Sequence, residues 1–254
     1  MPSLRPIFAA GKRLPLRILF TRSCGSVVFL RRRDQWYAWR RGALIPVSGV
    51  SLETIGYFRH FVPPKGGVVF DVGGELGQET LQFSRIVGPG GKIFVFECAP
   101  AHLDRLRRIA DSAKNVEVVD VACWSETTVL EFFHGHTPGS GTVLPQARGQ
   151  RGQELADTAS VPLSVRAERL DSLWCQLCEG RPVDFLKMDI EGAELEALSG
   201  AKEMLRHTRR VVVAAYHQRD GVATASEVAK ILAETGFSVR VDENLHVYAQ
   251  RTAR

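Results

Sequence analysis

Phe237-Ser238-Val239-Arg240-Val241-Asp242-Glu243-Asn244-Leu245-His246-Val247-Tyr248-Ala249 is the stretch whose reading decides the fold. Valine and aromatic residues flank Asp242-Glu243-Asn244, so 237–241 and 245–249 read as two strands. Three residues are too few for a parallel crossover, which takes a dozen or more, so the pair must be an antiparallel hairpin. Gly236 stands just before it, as the C-cap of a helix over 225–235. Working back toward the N-terminus, short apolar runs alternate with helical stretches. Val211–Tyr216, Val183–Met188, Val116–Val119, Ile93–Phe96 and Val68–Asp71 read as buried strands. Residues 191–198, 101–112 and 76–87 read as helices between them. That alternation specifies a parallel sheet with helices on both faces.

A doubly wound, mostly parallel α/β sheet ending in an antiparallel hairpin is the architecture of S-adenosylmethionine (SAM)-dependent methyltransferases. Nicotinamide-binding Rossmann domains are parallel throughout. The expected fold is therefore the SAM-methyltransferase Rossmann-like one. Residues 128–170 interrupt the alternation with strands near 129–134 and 161–166. Between them lies a Gly-, Pro- and Gln-rich insertion around 135–160, long enough to be a lid or a substrate loop. The expected division is a basic arm or cap over 1–50, then a catalytic domain over 51–254. Within the first part, 26–30 and 35–39 read as short strands or an irregular cap. A helix is expected over 51–61, with Ser51 at its N-cap.

Composition narrows the class further. The chain has 254 residues, 44% apolar and 24% charged, which excludes wholesale disorder. No run of 18 apolar residues is present to span a bilayer as a helix. The net charge of +5 hides an asymmetry, because residues 1–41 carry ten Lys/Arg against one acid, Asp34. A basic arm thus precedes a mildly acidic body, and the high pI gives no ground for nucleic-acid binding by that body. Ile7, Phe8, Leu14, Leu16 and Ile18 lie among the basic residues. The arm reads either as a solvated segment, as a transit peptide, or as a peripheral contact with an anionic membrane. Pro6 and Pro15 exclude one long helix there. Residues 1–20 lack the apolar core of a secretory signal. The five cysteines are scattered, and Cys175-Gln-Leu-Cys178 has no second ligand pair for zinc. Free thiols of a reducing, cytoplasmic compartment are expected.

The cofactor pocket is read from Asp71-Val72-Gly73-Gly74-Glu75-Leu76-Gly77, where the first strand turns into the first helix. Glycines let backbone approach a ligand, and a helix N-terminus offers free N–H groups. A dinucleotide fingerprint needs glycine at 72, where valine stands. An acid followed by glycine two and six residues on suits SAM instead. Glu97 ends the second strand, where an acid accepts hydrogen bonds from ribose hydroxyls. Asp120 and Val121 end the third, where an adenine would pack. The expected cofactor set is Asp71, Gly73, Gly74, Glu75, Gly77, Thr80, Glu97, Asp120 and Val121.

The reacting end is read from Lys187-Met188-Asp189-Ile190-Glu191-Gly192-Ala193-Glu194. Three carboxylates within six residues repel one another unless a metal, a sulfonium or a lysine sits among them, and Lys187 is the nearest lysine. His217 ends the fifth strand and can titrate near neutrality. Together with Phe70–Gly77, Val87–Lys92, Phe96-Glu97 and Asp184–Phe185-Leu186, this block resembles the FkbM-type methyltransferases over residues 54–250. The family often has Ala-Asn where this chain has Gly74-Glu75. The resemblance implies SAM-dependent O-methylation of a hydroxyl on a small molecule, sugar or glycolipid by in-line displacement. Asp189, Glu191 and His217 are the expected catalytic residues, with His217 as the base. Magnesium between Asp189 and Glu191 is an open alternative, since hard oxygen ligands suit it. Two other classes compete. A nicotinamide oxidoreductase is disfavoured by Val72 and the terminal hairpin. A non-catalytic module would bind anionic lipid or nucleic acid through its basic arm. An Asn/Asp-Pro-Pro-aromatic motif is absent, which argues against methylation of base amino groups.

Overall fold

The computed structural model describes residues 56–135, 141–149 and 152–251, and the backbone of four strands between 20 and 47. The chain divides into two compact units, Met1–Val62 and Pro63–Arg254. In the first, β1 (Phe20–Cys24), β2 (Val27–Arg32), β3 (Gln35–Arg40) and β4 (Ala43–Val47) pair in that order, each antiparallel to the next. The latter half of the presumed basic arm is therefore strand. The stretches read as short strands at 26–30 and 35–39 correspond to β2 and β3. Residues 1–19 and the expected N-cap Ser51 lie outside the described residues.

The second unit begins with β5 (Val68–Val72), α1 (Gln78–Val87), β6 (Lys92–Glu97), α2 (Pro100–Ser112) and β7 (Val116–Asp120). β8 (Ala122–Cys123), β9 (Thr128–His134), β10 (Gly141–Thr142), β11 (Leu163–Glu168) and α3 (Leu170–Cys178) follow. Then come β12 (Phe185–Met188), α4 (Glu194–Ser199), α5 (Lys202–Arg206), β13 (Arg210–Ala214) and the short pair β14 (Gln218–Arg219) and β15 (Val222–Ala223). The order closes with α6 (Ala225–Glu234), β16 (Ser238–Val241) and β17 (His246–Gln250). The central sheet runs β16-β17-β13-β12-β5-β6-β7. All its pairings are parallel except the two made by β17. This is the expected fold.

Sequence explains most of these elements directly. The inner strands are mainly apolar because both faces are covered, and all of Phe185–Met188 is buried, Lys187 included. Gly88, at φ +72, ends α1 and donates its N–H to the Ser84 carbonyl. Pro100 opens α2, where its missing N–H costs nothing. Phe70 packs its ring against Phe94 and Phe96, with centroids 5.5 and 4.9 Å apart. These rings join a core that includes Leu170, Trp174, Leu198 and Met204.

Three features refine the reading. β17 inserts between β13 and β16, so the last strand is interior: His246–Ala249 are buried, whereas Ser238, Arg240 and Val241 of β16 face solvent as an edge strand can. The helix expected from Glu191 begins at Glu194, because Glu191 (φ 56) and Gly192 (φ 103) adopt left-handed backbone and make a turn. The interrupting segment builds its own sheet, β10-β9-β11-β8, and leads into α3. Leu170, Leu173, Trp174 and Leu177 carry the helical spacing that signals α3. Among the described residues no helix is long and apolar enough to cross a membrane. Cys98, Cys123, Cys175 and Cys178 are free thiols.

Candidate active site

The site is assembled on the carboxyl ends of β5, β6, β12 and β13. Leaving β5, the chain turns at Gly73 (φ +80), where a Cβ would stand 1.8 Å from the Asp189 carbonyl oxygen. Only glycine fits there. The N–H groups of Gly73 and Gly74 donate to the Phe96 carbonyl at 3.0 and 3.1 Å, tying the turn to β6. Gly77 (φ +74) packs against α2, where a Cβ would meet Ile109 at 2.3 Å.

Beneath the turn lies a buried ion pair. Lys187 Nζ is 3.3 Å from Asp71 Oδ1 and donates to the Gly73 carbonyl, while Thr80 Oγ1 donates to Asp71 Oδ2 at 2.6 Å. Burial opposes charge on Lys187, but Asp71 and Asp189 outweigh it and keep its pKa above the ordinary value. Asp71 and Thr80 were expected to contact cofactor. Both are wholly buried, so they position the turn from behind.

The face in front of the turn is acidic. Glu97 Oε2 accepts the Glu75 N–H at 2.8 Å, and Oε1 accepts those of Cys98 and Ala99 at 2.9 and 2.8 Å. Burial would raise the Glu97 carboxyl, but His102, 3.6 Å away, and the backbone donors hold it below its usual value. Glu97 is therefore an anion fixed at the strand end. Glu75 stands at φ 48. The residue as a whole is exposed, but partial burial of its carboxyl and, secondarily, Asp189 push that group up to about 7. Asp120, beside Glu97 in the β6–β7 register, is exposed and accepts a bond from Arg107 Nη2 at 3.2 Å. Val121 is buried.

The reacting end follows directly. Asp189 leaves β12 with its N–H donating to the Val72 carbonyl at 3.0 Å, against the glycine turn. His217 Nε2 lies 3.2 Å from Glu191 Oε2 and 3.8 Å from Asp189 Oδ1, and Nδ1 lies 2.9 Å from Glu194 Oε1. Glu194 Oε1 also accepts the N–H groups of Ile190 (3.3 Å) and Gly192 (3.1 Å), which the left-handed turn aims at it. His217 is 1% exposed and Glu194 0%, whereas the side chains of Asp189 and Glu191 are 22% and 28% exposed. The group that sits among these carboxylates is thus the His217 imidazole, while Lys187 serves Asp71. Burial would lower the His217 pKa, but Glu194 and Glu191 outweigh it and hold the ring well above its ordinary value. A buried ring hydrogen-bonded at both nitrogens is poorly placed for the base role expected of it, whereas the side chains of Asp189 and Glu191 reach solvent.

Residues unmarked by the sequence complete the site. Tyr216 OH lies 3.4 Å from Asp189 Oδ2. Its place beside His217 at a strand end could have marked it. His102 lies two residues after Pro100, with no signal of its partnership with Glu97. Thr142 Oγ1 donates to the Glu191 carbonyl at 2.8 Å, Gly192 packs on Ala147, and Arg148 and Gln218 exchange backbone bonds of 2.9 and 2.7 Å. Residues 141–149 of the insertion therefore pack against the carboxylate turn. Residues 136–140 and 150–151 lie outside the described residues.

Comparison with known proteins adds to this geometry. The family model of the methyltransferase FkbM domain matches residues 71–239. Methyltransferase sdnD of Sordaria araneosa is 29% identical over 201 residues, covering 70% of this chain and 76% of that protein. The 31-O-demethyl-FK506 methyltransferase FkbM of Streptomyces tacrolimicus is 28% identical over 227 residues, covering 78% and 86% respectively. The fibrillarin pre-rRNA processing protein of Methanococcus jannaschii matches in structure with a TM-score of 0.50 at 11% identity, over 91% of this chain and 95% of that one. Likeness at that identity speaks for the fold alone.

Proposed function

The chain belongs to the FkbM methyltransferase family, and from that premise we propose that it transfers the methyl group of SAM to a hydroxyl oxygen of a small molecule, sugar or glycolipid. One observation carries the reading. The glycine turn of the cofactor strand and the carboxylate turn of the reacting strand are a single packed unit, with the Asp189 carbonyl occupying the space beside Gly73 that a side chain would need. The pocket's chemistry fits the cofactor: Glu75, Glu97 and Asp189 present acidic groups to a molecule that carries a sulfonium and an ammonium. Gly73, Gly74 and Glu75 would line it, and Glu97 would hold its ribose. The name of the Streptomyces relative, whose acceptor lacks an O-methyl group, supports oxygen as the target.

Bound SAM supplies an activated methyl: the acceptor oxygen forms the C–O bond as the S–CH3 bond breaks and its electron pair stays on sulfur. The protein's own task is to align the hydroxyl and take its proton. Asp189 is the acceptor of that proton, since it adjoins the cofactor turn and reaches solvent. Tyr216 OH orients its Oδ2, and His217 lies beside its Oδ1.

Glu97→Ala should weaken SAM binding by roughly 1.5–3 kcal/mol, the range for hydrogen bonds to a charged group. Calorimetric titration of the folded variant measures this, and unchanged affinity would remove Glu97 from the ribose site. The basic N-terminal segment supports a second expectation. Full-length protein should pellet with vesicles rich in anionic lipid at low salt, and a form lacking residues 1–41 should pellet less. Equal pelleting of the two forms would dismiss the membrane contact.

A further inference from the structure

The carboxylate–imidazole cluster has the dimensions of a metal site. One donor atom from each of Asp189, Glu191 and His217 can be chosen so that all three lie within 4.8 Å of one another. Donors about 2.1 Å from a common cation stand about 3.0 Å apart when adjacent and about 4.2 Å apart when opposite. The His217 Nε2 distances of 3.2 Å to Glu191 and 3.8 Å to Asp189 fall inside that range. The three groups come from two strand ends and a left-handed turn, and they converge where the fold exposes the carboxylates to the cleft.

A second, independent observation points the same way. His217 Nδ1 lies 2.9 Å from Glu194 Oε1, and both side chains are buried. A metal-ligating histidine almost always gives its other N–H to a carboxylate or carbonyl, which fixes the tautomer and leaves the remaining nitrogen free to coordinate. Glu194 is itself fixed by the N–H groups of Ile190 and Gly192. The order is therefore backbone to Glu194, Glu194 to His217 Nδ1, and His217 Nε2 to the point where Asp189 and Glu191 meet.

We propose that Asp189, Glu191 and His217 Nε2 bind one divalent transition cation, with Glu194 as the positioning residue for the imidazole. The cation takes the place of the Nε2 proton. The donor set also selects the ion. Two carboxylates alone suit magnesium, as the sequence suggested, but an added imidazole favours manganese, cobalt or zinc. The role, which rests on the methyl-transfer reading, is to acidify the acceptor hydroxyl. A carboxylate is a weak base for an alcohol, whereas a bound cation lowers the pKa of a coordinated water or hydroxyl by several units. The hydroxyl proton then passes to the uncoordinated oxygen of Asp189.

The test uses full-length protein dialysed against chelator and titrated with Mn2+ alone, with the free-ion electron paramagnetic resonance signal as the readout. One equivalent should bind. Asp189→Asn, Glu191→Gln and His217→Gln should each lose binding by tenfold or more, and Glu194→Gln by about 10- to 100-fold as an outer partner. Mg2+ should displace Mn2+ only in large excess, and equal competition by Mg2+ would overturn the imidazole's part in the site. SAM affinity of the metal-free parent, measured by calorimetry, and a cooperative melting transition for each variant show that the proteins compared are folded. No Mn2+ binding by a parent that binds SAM overturns the metal site and leaves the methyltransferase reading intact. Mn2+ binding without SAM binding does the reverse.

Discussion

Asp71→Asn should lower the stability of the catalytic unit by about 3–5 kcal/mol, because it removes the buried carboxylate paired with the Lys187 ammonium. For a domain of this size that is a fall of roughly 6–20 °C in melting temperature. The substitution keeps an acceptor for the Thr80 hydroxyl, so the effect isolates the charge. A double variant, Asp71→Asn with Lys187→Met, removes both charges and should recover much of the loss. SAM affinity should not recover with it, since Lys187 also holds the Gly73 carbonyl and the double variant frees that turn. Differential scanning calorimetry with SAM titration separates the two effects. A single variant that melts like the parent and loses only SAM would make Asp71 a direct cofactor ligand, against its burial behind the turn.

Asp189→Asn should reduce methyl transfer by about 10²- to 10⁴-fold, the range for loss of a positioned proton acceptor. Glu191→Gln should lose about 10²-fold or more through misalignment of the same cleft. Both side chains reach solvent, so melting temperatures should stay within a few degrees of the parent. Glu194→Gln belongs to a different class. Its carboxylate is wholly buried and holds both His217 and the Glu191–Gly192 turn, so that variant should melt lower as well as turn over more slowly. Transfer of labelled methyl from SAM to a hydroxylated acceptor, beside a melting curve for each variant, measures the set. Full turnover by Asp189→Asn would move the proton acceptor elsewhere. A large loss of stability in that variant would make Asp189 structural.

Elements whose signal is local were legible from the residues alone. Short, mainly apolar runs mark β5, β6, β12 and β13, and the three residues at 242–244 force an antiparallel end. Where β17 goes is a different kind of fact. Its insertion between β13 and β16 depends on which strand is apolar on both faces, and so on the whole sheet. At the site, strand-end positions brought out Asp71, Glu97, Asp189, Glu191 and His217. Their partners stayed hidden because those depend on side-chain direction. Asp71 and Lys187 sit directly opposite in the β5–β12 register and point to the same interior, so the lysine that seemed near Asp189 and Glu191 serves Asp71. His217, 23 residues from Glu194, fills the gap among the carboxylates. The turn at Glu191 also resisted the reading, because Glu191–Leu198 looks helical until Gly192 takes a left-handed conformation. Thr142 reaches Glu191 across 49 residues, and no periodicity reports such a contact.

The central claim is that an acidic, glycine-lined pocket at the ends of β5 and β6 takes SAM, in a family member that transfers its methyl group. Parallel calorimetric titrations of the full chain with SAM and with NAD test it most directly. The account predicts saturable one-to-one binding of SAM, weakened in Glu97→Ala, and no heat of binding with NAD. Binding of NAD together with silence toward SAM would contradict it.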